Sequence, residues 1–320
     1  MGQPSASDVH VDAPLTNISI AYKQDAENFV SGKVFPEIGV AKQSDKYFVY
    51  DRGDFRRNEA AKRAAGSESA GGGFDMTTSS YSCDVYAFHK DVDDQVRGNA
   101  DAAVDPEEDA SRFVMEKLLI QREVDWSSSY FGIGIWDTDV VGGTNFDQWD
   151  DASSDPEKDI DDAKLVILKA TGSRANTFVV SEEVHIALKR HPLIVERYKH
   201  TSSESITREM IARFLEIDNY YVAGASYNTA AEDAADVDAF IMGKNALLCH
   251  VAPSPGLLTP SSGYTFTWTG LTGMNNVGIA TSVIDMRGSG RKVDRVESEF
   301  AYDHKVVSTI MGYFFSAAVS

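Results

Sequence analysis

Cysteine is scarce in this chain, with Cys83 and Cys249 the two present among 320 residues. Two thiols so far apart build no disulfide framework, and such sparing use suits a reducing compartment. No stretch approaches the roughly 20 consecutive apolar residues that a membrane-crossing helix needs. The first residues are polar, with no apolar run behind a basic start, so no secretory leader is expected. Positive charge is also short: 30 Lys and Arg face 49 Asp and Glu, a net of -19. Direct recognition of nucleic-acid phosphates normally takes a basic patch or stripe, so this balance argues against it. Hydrophobic content of 42 % and charged content of 25 % are otherwise ordinary for a globular protein. The length allows one large domain or two.

Signals for chemistry are equally thin. His185 and His191 lie six apart, which is not the i, i+4 spacing of a helical zinc pair. Cys249-His250 has no second ligand pair nearby, whereas zinc sites show spaced pairs. Asp147, Asp150, Asp151, Asp155, Asp159, Asp161 and Asp162 invite a calcium reading but do not follow the calcium-loop order or supply its turn glycine. Gly71-Gly72-Gly73 is not followed by Lys-Ser/Thr and opens no helix, which argues against a phosphate loop. Gly288-Ser289-Gly290 reads as a plain turn between strands. No nucleophile is posed beside a base, so no catalytic residue, metal or cofactor is expected.

What the chain does have is an overlong hairpin. Tyr47–Tyr50 and Tyr81–Phe88 read as two strand-like arms enclosing about thirty residues with no pattern for a core of their own. Hairpin strands are usually joined by two to five residues, and longer connections are functional or disordered. This connection is Gly-rich and basic: Arg52, Arg56, Arg57, Lys62 and Arg63 outweigh Asp54 and Glu59, a net of +3. From Asp91 to Asp162, by contrast, 21 acidic side chains face 5 basic ones, a net of -16. A positive arm on an acidic body is expected to lie on the acidic body of a second copy. Aromatic burial by Tyr47, Tyr50, Phe55, Phe74 and Tyr81 would supply the affinity, and charge the register.

The remaining elements are legible from caps and periodicity. Tyr22 to Val30 could be helical, and Val34 to Val40 begins an extended run, since Pro36 disfavours helix at Phe35. Asp105 as cap, Pro106 at the first position and the acids Glu107 to Asp109 predict a helix over about 106–131, some 39 Å long. Its expected apolar face is Ala110, Phe113, Val114 and Leu118, weakening through Gln121 and Val124/Asp125. Residues 132–155 read as loop. Asp155-Pro156-Glu157 opens a second helix with the face Ile160, Ala163, Val166, Ile167 and Ala170, ended by Gly172. Thr177 to Val180 and Tyr220 to Ala223 read as strands, Ser181 to Arg190 and Ile206 to Leu215 as helices. From Asp238 the grammar turns to β, and Val306 to Val319 returns to the core as a strand or packed tail. The whole predicts an α+β fold with a projecting arm.

Those segments, in that order, resemble the tailed-bacteriophage major capsid protein family with the Hong Kong 97-type capsid fold. The residues that carry the resemblance are 33–36, 42–55, 69–74 and 81–90, with Thr265 to Trp268 and the run from Val296 onward. The resemblance implies an N-terminal arm over 1–43 and an extended loop over 44–90. It implies a peripheral domain over 91–180 and 284–320 with a spine helix at about 106–131, and an axial domain over 181–283. Implied partners are other copies of the chain in hexamers and pentamers, a separate scaffolding protein, a portal and a decoration protein. Double-stranded DNA would be enclosed without sequence-specific binding, and no membrane is involved. No long helical segment precedes the arm, which is why a separate scaffold, or prior processing, is expected. The implied location is the virion, assembled in the host bacterial cytoplasm. The competing readings are an encapsulin-like bacterial shell protein of the same fold and a metal-dependent hydrolase using the Asp/His-rich middle.

Overall fold

The computed structural model describes residues 24–100, 105–198, 206–256, 259–271 and 278–320. In chain order these form α1 (Ser31–Val34), β1 (Glu37–Val40), β2 (Ser44–Tyr50), α2 (Arg52–Arg56), β3 (Met76–Ser82), β4 (Asp84–Asp93) and α3 (Asp94–Asn99). There follow α4 (Pro106–Tyr130), β5 (Thr138–Val141), α5 (Pro156–Thr171), β6 (Thr177–Ser181), α6 (Glu182–Arg190), α7 (Pro192–Tyr198) and α8 (Arg208–Phe214). The rest is mostly β: β7 (Asn219–Ala223), β8 (Ser226–Asn228), β9 (Asp238–Phe240), β10 (Ala246–Cys249), β11 (Gly263–Trp268), β12 (Ala280–Asp285), β13 (Val293–Val306) and β14 (Gly312–Ser316). Helix and strand are mixed as an α+β chain predicts.

Two five-stranded sheets organise these elements. One has the order β5-β14-β10-β6-β7, and its inner strands β6 and β10 are buried at every position. Those two strands are near-continuous apolar runs, because neither face meets water. Alternate side chains feed two different cores. Phe178, Val180, Leu248 and Phe315 point into a cluster with Ile160, Ile167, Val184, Leu188, Ile194 and Ile211 from α5 to α8. Val179, Leu247 and Phe314 point the other way, onto Trp126, Phe131, Val30, Val34 and Phe35. The second sheet runs β1-β11-β13-β12, with β4 along the other edge of β13. β13 is the hub, pairing with β4, β11 and β12 at once.

α4 lies along β13 and β4 as the spine. Asp105 accepts hydrogen bonds from the amides of Glu107 and Glu108 at 3.0 and 3.3 Å, capping the helix as expected. Its buried face is Ala110, Val114, Leu118, Arg122, Glu123 and Trp126, a row advancing mostly by four. The expected Phe113 is 41 % exposed instead, because the face continues through buried charged residues that a hydrophobicity pattern passes over. α5 is capped by Asp155 and ended by Gly172 at φ 79°, but it buries Ile160, Ala163 and Ile167 and leaves Val166 outside.

Other expectations need correction. The segment up to Val30 is a 3-10 turn at Ala26–Asn28, with the first helix at Ser31–Val34, and residues 1–23 lie outside the described residues. Residues 132–155 contain β5, which pairs in parallel with β14 at the sheet edge. The acidic stretch after Asp91 includes α3, capped by Asp93. Sheet pairing joins segments distant in the chain: β14 lies between β5 and β10, and β11 and β12 both pair with β13.

The charge surplus is likewise redistributed. Arg287 pairs with Asp94, with Asp285 at 3.0 Å and with Asp294 at 2.5 Å, and Arg97 joins Glu107 at 2.7 Å and Asp294 at 2.5 Å. Arg291 and Arg295 reach Asp91 at 2.7 and 2.8 Å. The start of the acidic stretch is thus matched within the chain by basic residues some 200 positions later. Those carboxylates are not a bare surface waiting for a partner's arginines.

Candidate assembly interface

The hairpin is built from β2 and β3, antiparallel from Ser44↔Ser82 to Tyr50↔Met76. The second arm is therefore Met76–Ser82, and the expected Tyr81–Phe88 arm is divided at Cys83. Beyond that residue the chain becomes β4 and belongs to β13. The division is fixed by reciprocal hydrogen bonds: the Cys83 amide donates to the Gln43 carbonyl at 2.8 Å, and the Gln43 side chain donates to the Cys83 carbonyl at 3.0 Å. The Cys83 thiol is buried there, which pushes its pKa up to about 12 and keeps it protonated.

Two expected contact residues form the root of the hairpin. Tyr81 is 7 % exposed and stacks on Phe266 of the same chain, with ring centroids 4.5 Å apart and planes 11° apart. Tyr47 stacks on the same ring at 5.4 Å. Both anchor the arm on its own body. Their partner lies some 200 residues away in sequence, and no local signal pointed to it.

Above the root the arm loses its support. β3 is exposed on both faces apart from Tyr81, and Phe48 on the facing strand is 54 % exposed. An isolated two-stranded hairpin is at best marginally stable in water, so this one needs a further surface. The tip closes on itself. Asp51 caps α2 through the Gly53 amide at 2.5 Å, Asp54 accepts from the Asp75 amide at 2.8 Å, and Arg57 pairs with Asp54 at 3.1 Å. Tyr50, Phe55 and Phe74 form a ring cluster with centroids 5.3–5.9 Å apart. Phe55 and Phe74 remain 53 % and 59 % exposed, beside Met76 at 50 %. Clustered large apolar side chains left in water mark an interaction surface.

Apart from Arg57, which pairs with Asp54, the basic residues divide into two sets. Arg52 and Arg56 turn back onto the C-terminal end of α5 of their own chain. Arg52 Nη1 donates to the Ala170 carbonyl at 3.1 Å, and Arg56 donates to the same carbonyl and to that of Lys169 at 3.1 Å. Their acceptors are helix-end carbonyls, which carry partial negative charge, and not the carboxylates that charge counting suggests. Lys62 and Arg63 lie on the exposed outer loop, where Arg63 donates to the Ser67 carbonyl at 2.6 Å.

The Asp/His-rich middle is occupied by structural bonds. Asp150 accepts from the Ser320 amide at 3.2 Å, Asp151 from the Ser153 amide at 2.9 Å, Asp155 caps α5, and Asp159 accepts from Trp149 Nε1 at 3.1 Å. Asp161 and Asp162 pair with Lys164 and Lys158, each at 2.9 Å. His185 meets the Tyr220 hydroxyl at 3.0 Å, and His191 sits 3.2 Å from the Ser154 hydroxyl. Among the described residues, no group of three or more His, Cys, Asp or Glu is placed to hold a metal ion. No described helix is long and apolar enough to cross a membrane.

No protein-family model matches the chain. It is 26 % identical over 318 residues to the major capsid protein of Burkholderia phage BcepMu, covering 96 % of each chain. It is 27 % identical over 320 residues to the major capsid protein of Pseudomonas phage JBD67, covering 97 % of each. Among solved structures, a phage-related protein from Bordetella bronchiseptica superposes with a TM-score of 0.67 and 23 % identity, over 96 % of this chain and 97 % of that one. The mature capsid of bacteriophage PhiM1 superposes with a TM-score of 0.60 and 10 % identity, over 97 % and 92 %. End to end, the chain is similar in sequence to two phage major capsid proteins, and it shares the Hong Kong 97-type fold of the solved phage capsids.

Proposed function

We propose that this chain is the repeating structural subunit of an icosahedral phage head, assembling with copies of itself as hexamers and pentamers around double-stranded DNA, with no catalytic step. The observation that carries the reading is the full-length similarity to two phage major capsid proteins. The structure adds a physical reason for assembly: an arm with a rooted base and an exposed aromatic tip, which one subunit alone leaves in water. Contacts between different patches of identical subunits close into rings when the rotation permits, and rings tile a shell. The net charge of -19 fits a wall that encloses DNA without gripping it.

Hairpin residues Arg52, Arg56, Arg57, Lys62, Arg63, Tyr50, Phe55 and Phe74 are the inter-subunit contacts in this reading. A separate scaffolding protein, a portal and a decoration protein complete the particle, which is built in the host cytoplasm and ends as the virion shell. Size-exclusion chromatography and negative-stain microscopy of the purified protein test the proposal. Megadalton icosahedral particles are expected, and a species of one or two chains under all assembly conditions would overturn it. The contents of particles made in the native host separate a phage head, filled with DNA, from an encapsulin-like shell loaded with protein.

A further inference from the structure

α6 turns two faces to different surroundings. Val184, His185 and Leu188 are buried, while Glu183, Ile186, Ala187 and Arg190 recur at spacings of three and four on the other side. That second face is one wall of an open groove of about 580 Å³, a volume typical of ligand sites. Trp149 and Val319, both buried, form its floor. The opposite wall has its charges in use. Lys244 donates to the Ser320 carbonyl, and Asp150 accepts from the Ser320 amide at 3.2 Å and from the Ser320 hydroxyl. The side chains of Glu183 and Arg190 meet no ionic partner among the described residues. They stand seven positions apart, about 10.5 Å along the helix. The groove therefore offers a negative end, an aliphatic middle where Ile186 is 39 % exposed, and a positive end.

A second observation lies at the positive end. His191 is 2 % exposed, and its Nε2 is 3.2 Å from both the Asp151 carbonyl and the Ser154 hydroxyl. The Ser154 hydroxyl donates to that carbonyl at 2.8 Å, so the proton between the ring and the loop is the ring's own. Nδ1 is then a bare acceptor, in a ring that lines the groove, and no donor meets it among the described residues. A buried acceptor without a donor costs free energy until one is supplied. The helix dipole favours an acid early and a base late in α6, which accounts for the order of the two charges. It accounts neither for the groove between them nor for the bare nitrogen.

We propose that this groove binds an extended segment of another protein, with a basic residue at Glu183, aliphatic side chains on Ile186 and Ala187, an acidic residue at Arg190, and a backbone N–H on His191 Nδ1. A strand advances about 3.3 Å per residue, so the two charged residues of the guest stand three positions apart. A single free amino acid holds its charges too close together to reach both ends. Either direction of the guest chain satisfies the pairing. The inference needs one subunit only and does not depend on the shell reading.

Photo-crosslinking of the unassembled full-length chain tests it, with blocked tetrapeptides that carry photo-leucine at the third position. The probe lysine-valine-photo-leucine-glutamate is compared with versions that have lysine at both ends or glutamate at both ends. Indiscriminate attraction to a body of net charge -19 favours the doubly basic probe. The groove predicts the reverse: saturable labelling by the mixed probe, about threefold above either control, mapped by mass spectrometry to α6 and Val319. Arg190→Glu is expected to switch the preference to the doubly basic probe, and Ile186→Asp to abolish the labelling, both at the wild-type thermal midpoint. Should Arg190→Glu disturb the helix end, Arg190→Gln is expected to remove the lead of the mixed probe over the doubly basic one. A doubly basic preference in the wild type, labelling spread over the acidic surface, or a preference that neither arginine variant alters overturns the proposal.

Discussion

Glu123 has no water around its carboxylate, so its two oxygens answer to the amides of Val30 and Ser31, at 2.9 and 3.1 Å. Through them the N-terminal strap is tied to the middle of the spine, beside Arg122, which pairs with Glu37 at 2.6 Å and lies over the Phe300 ring. Glu123→Ala leaves two buried donors unpaired and should cost about 3 kcal/mol, read from the urea midpoint at unchanged slope. His304 makes the opposite demand, since burial lowers its pKa from 6.5 to about 3 while Nδ1 shares a 2.8 Å hydrogen bond with Thr265. Below pH 6.5 the unfolded chain takes up a proton that the folded chain refuses, so stability falls as pH drops from 6.5 towards 3. The slope from this residue is about 1 kcal/mol per pH unit, and His304→Asn should flatten it in urea melts compared between about pH 7 and pH 5. An unaltered slope in the variant would assign the dependence to other groups. Neither residue announces itself in the sequence. Glu123 sits where an apolar stripe fades, and only the register 110, 114, 118, 122, 126 hints that the buried row runs on through charge.

At the level of elements, the hairpin and the spine behave differently under substitution. The spine has caps, a buried row and a sheet beneath it, whereas most of the hairpin above its root is exposed. Replacing Arg56, Arg57 and Arg63 together by Glu should leave the thermal midpoint of the unassembled subunit close to wild type, since exposed side chains usually contribute within about 0.5 kcal/mol. The same variant should fail to form particles, because it reverses the charge at the tip and removes a donor to the α5 carbonyls. Normal particles by electron microscopy would remove charge matching from the account of assembly. The existence of this arm was legible from its length and its missing core pattern. Its boundary was not: Tyr81 to Phe88 reads as one strand, and it is the pairing of β4 with β13 and the Phe266 ring that divide it.

For the whole molecule, the long-range force between copies is repulsion between bodies of net charge -19. The attraction proposed for the hairpin is short-ranged, from its guanidinium groups and exposed rings. Raising ionic strength from about 0.01 M to 0.15 M shortens the Debye length from roughly 30 to 8 Å, which screens the repulsion more than the contact. Assembly followed by light scattering should therefore speed up over that range. Slower assembly would mean that direct ion pairs dominate the seam.

Sequence alone determined the elements whose causes are local. Asp105-Pro106 and Asp155-Pro156 start helices, Gly172 ends one through a left-handed residue, and the apolar runs of β6 and β10 mark strands buried on both faces. It also determined that a long arm projects and that positive charge is concentrated on it. Tertiary structure alone decided which partners those elements take: Arg287, Arg291 and Arg295 for the early acids, Phe266 for the hairpin's tyrosines, Glu123 for the strap, and helix-end carbonyls for Arg52 and Arg56. The physical reason is range. Caps and periodicity act within a few residues of the chain, whereas pairing of charges, rings and carbonyls depends on proximity in space between segments up to about 200 residues apart.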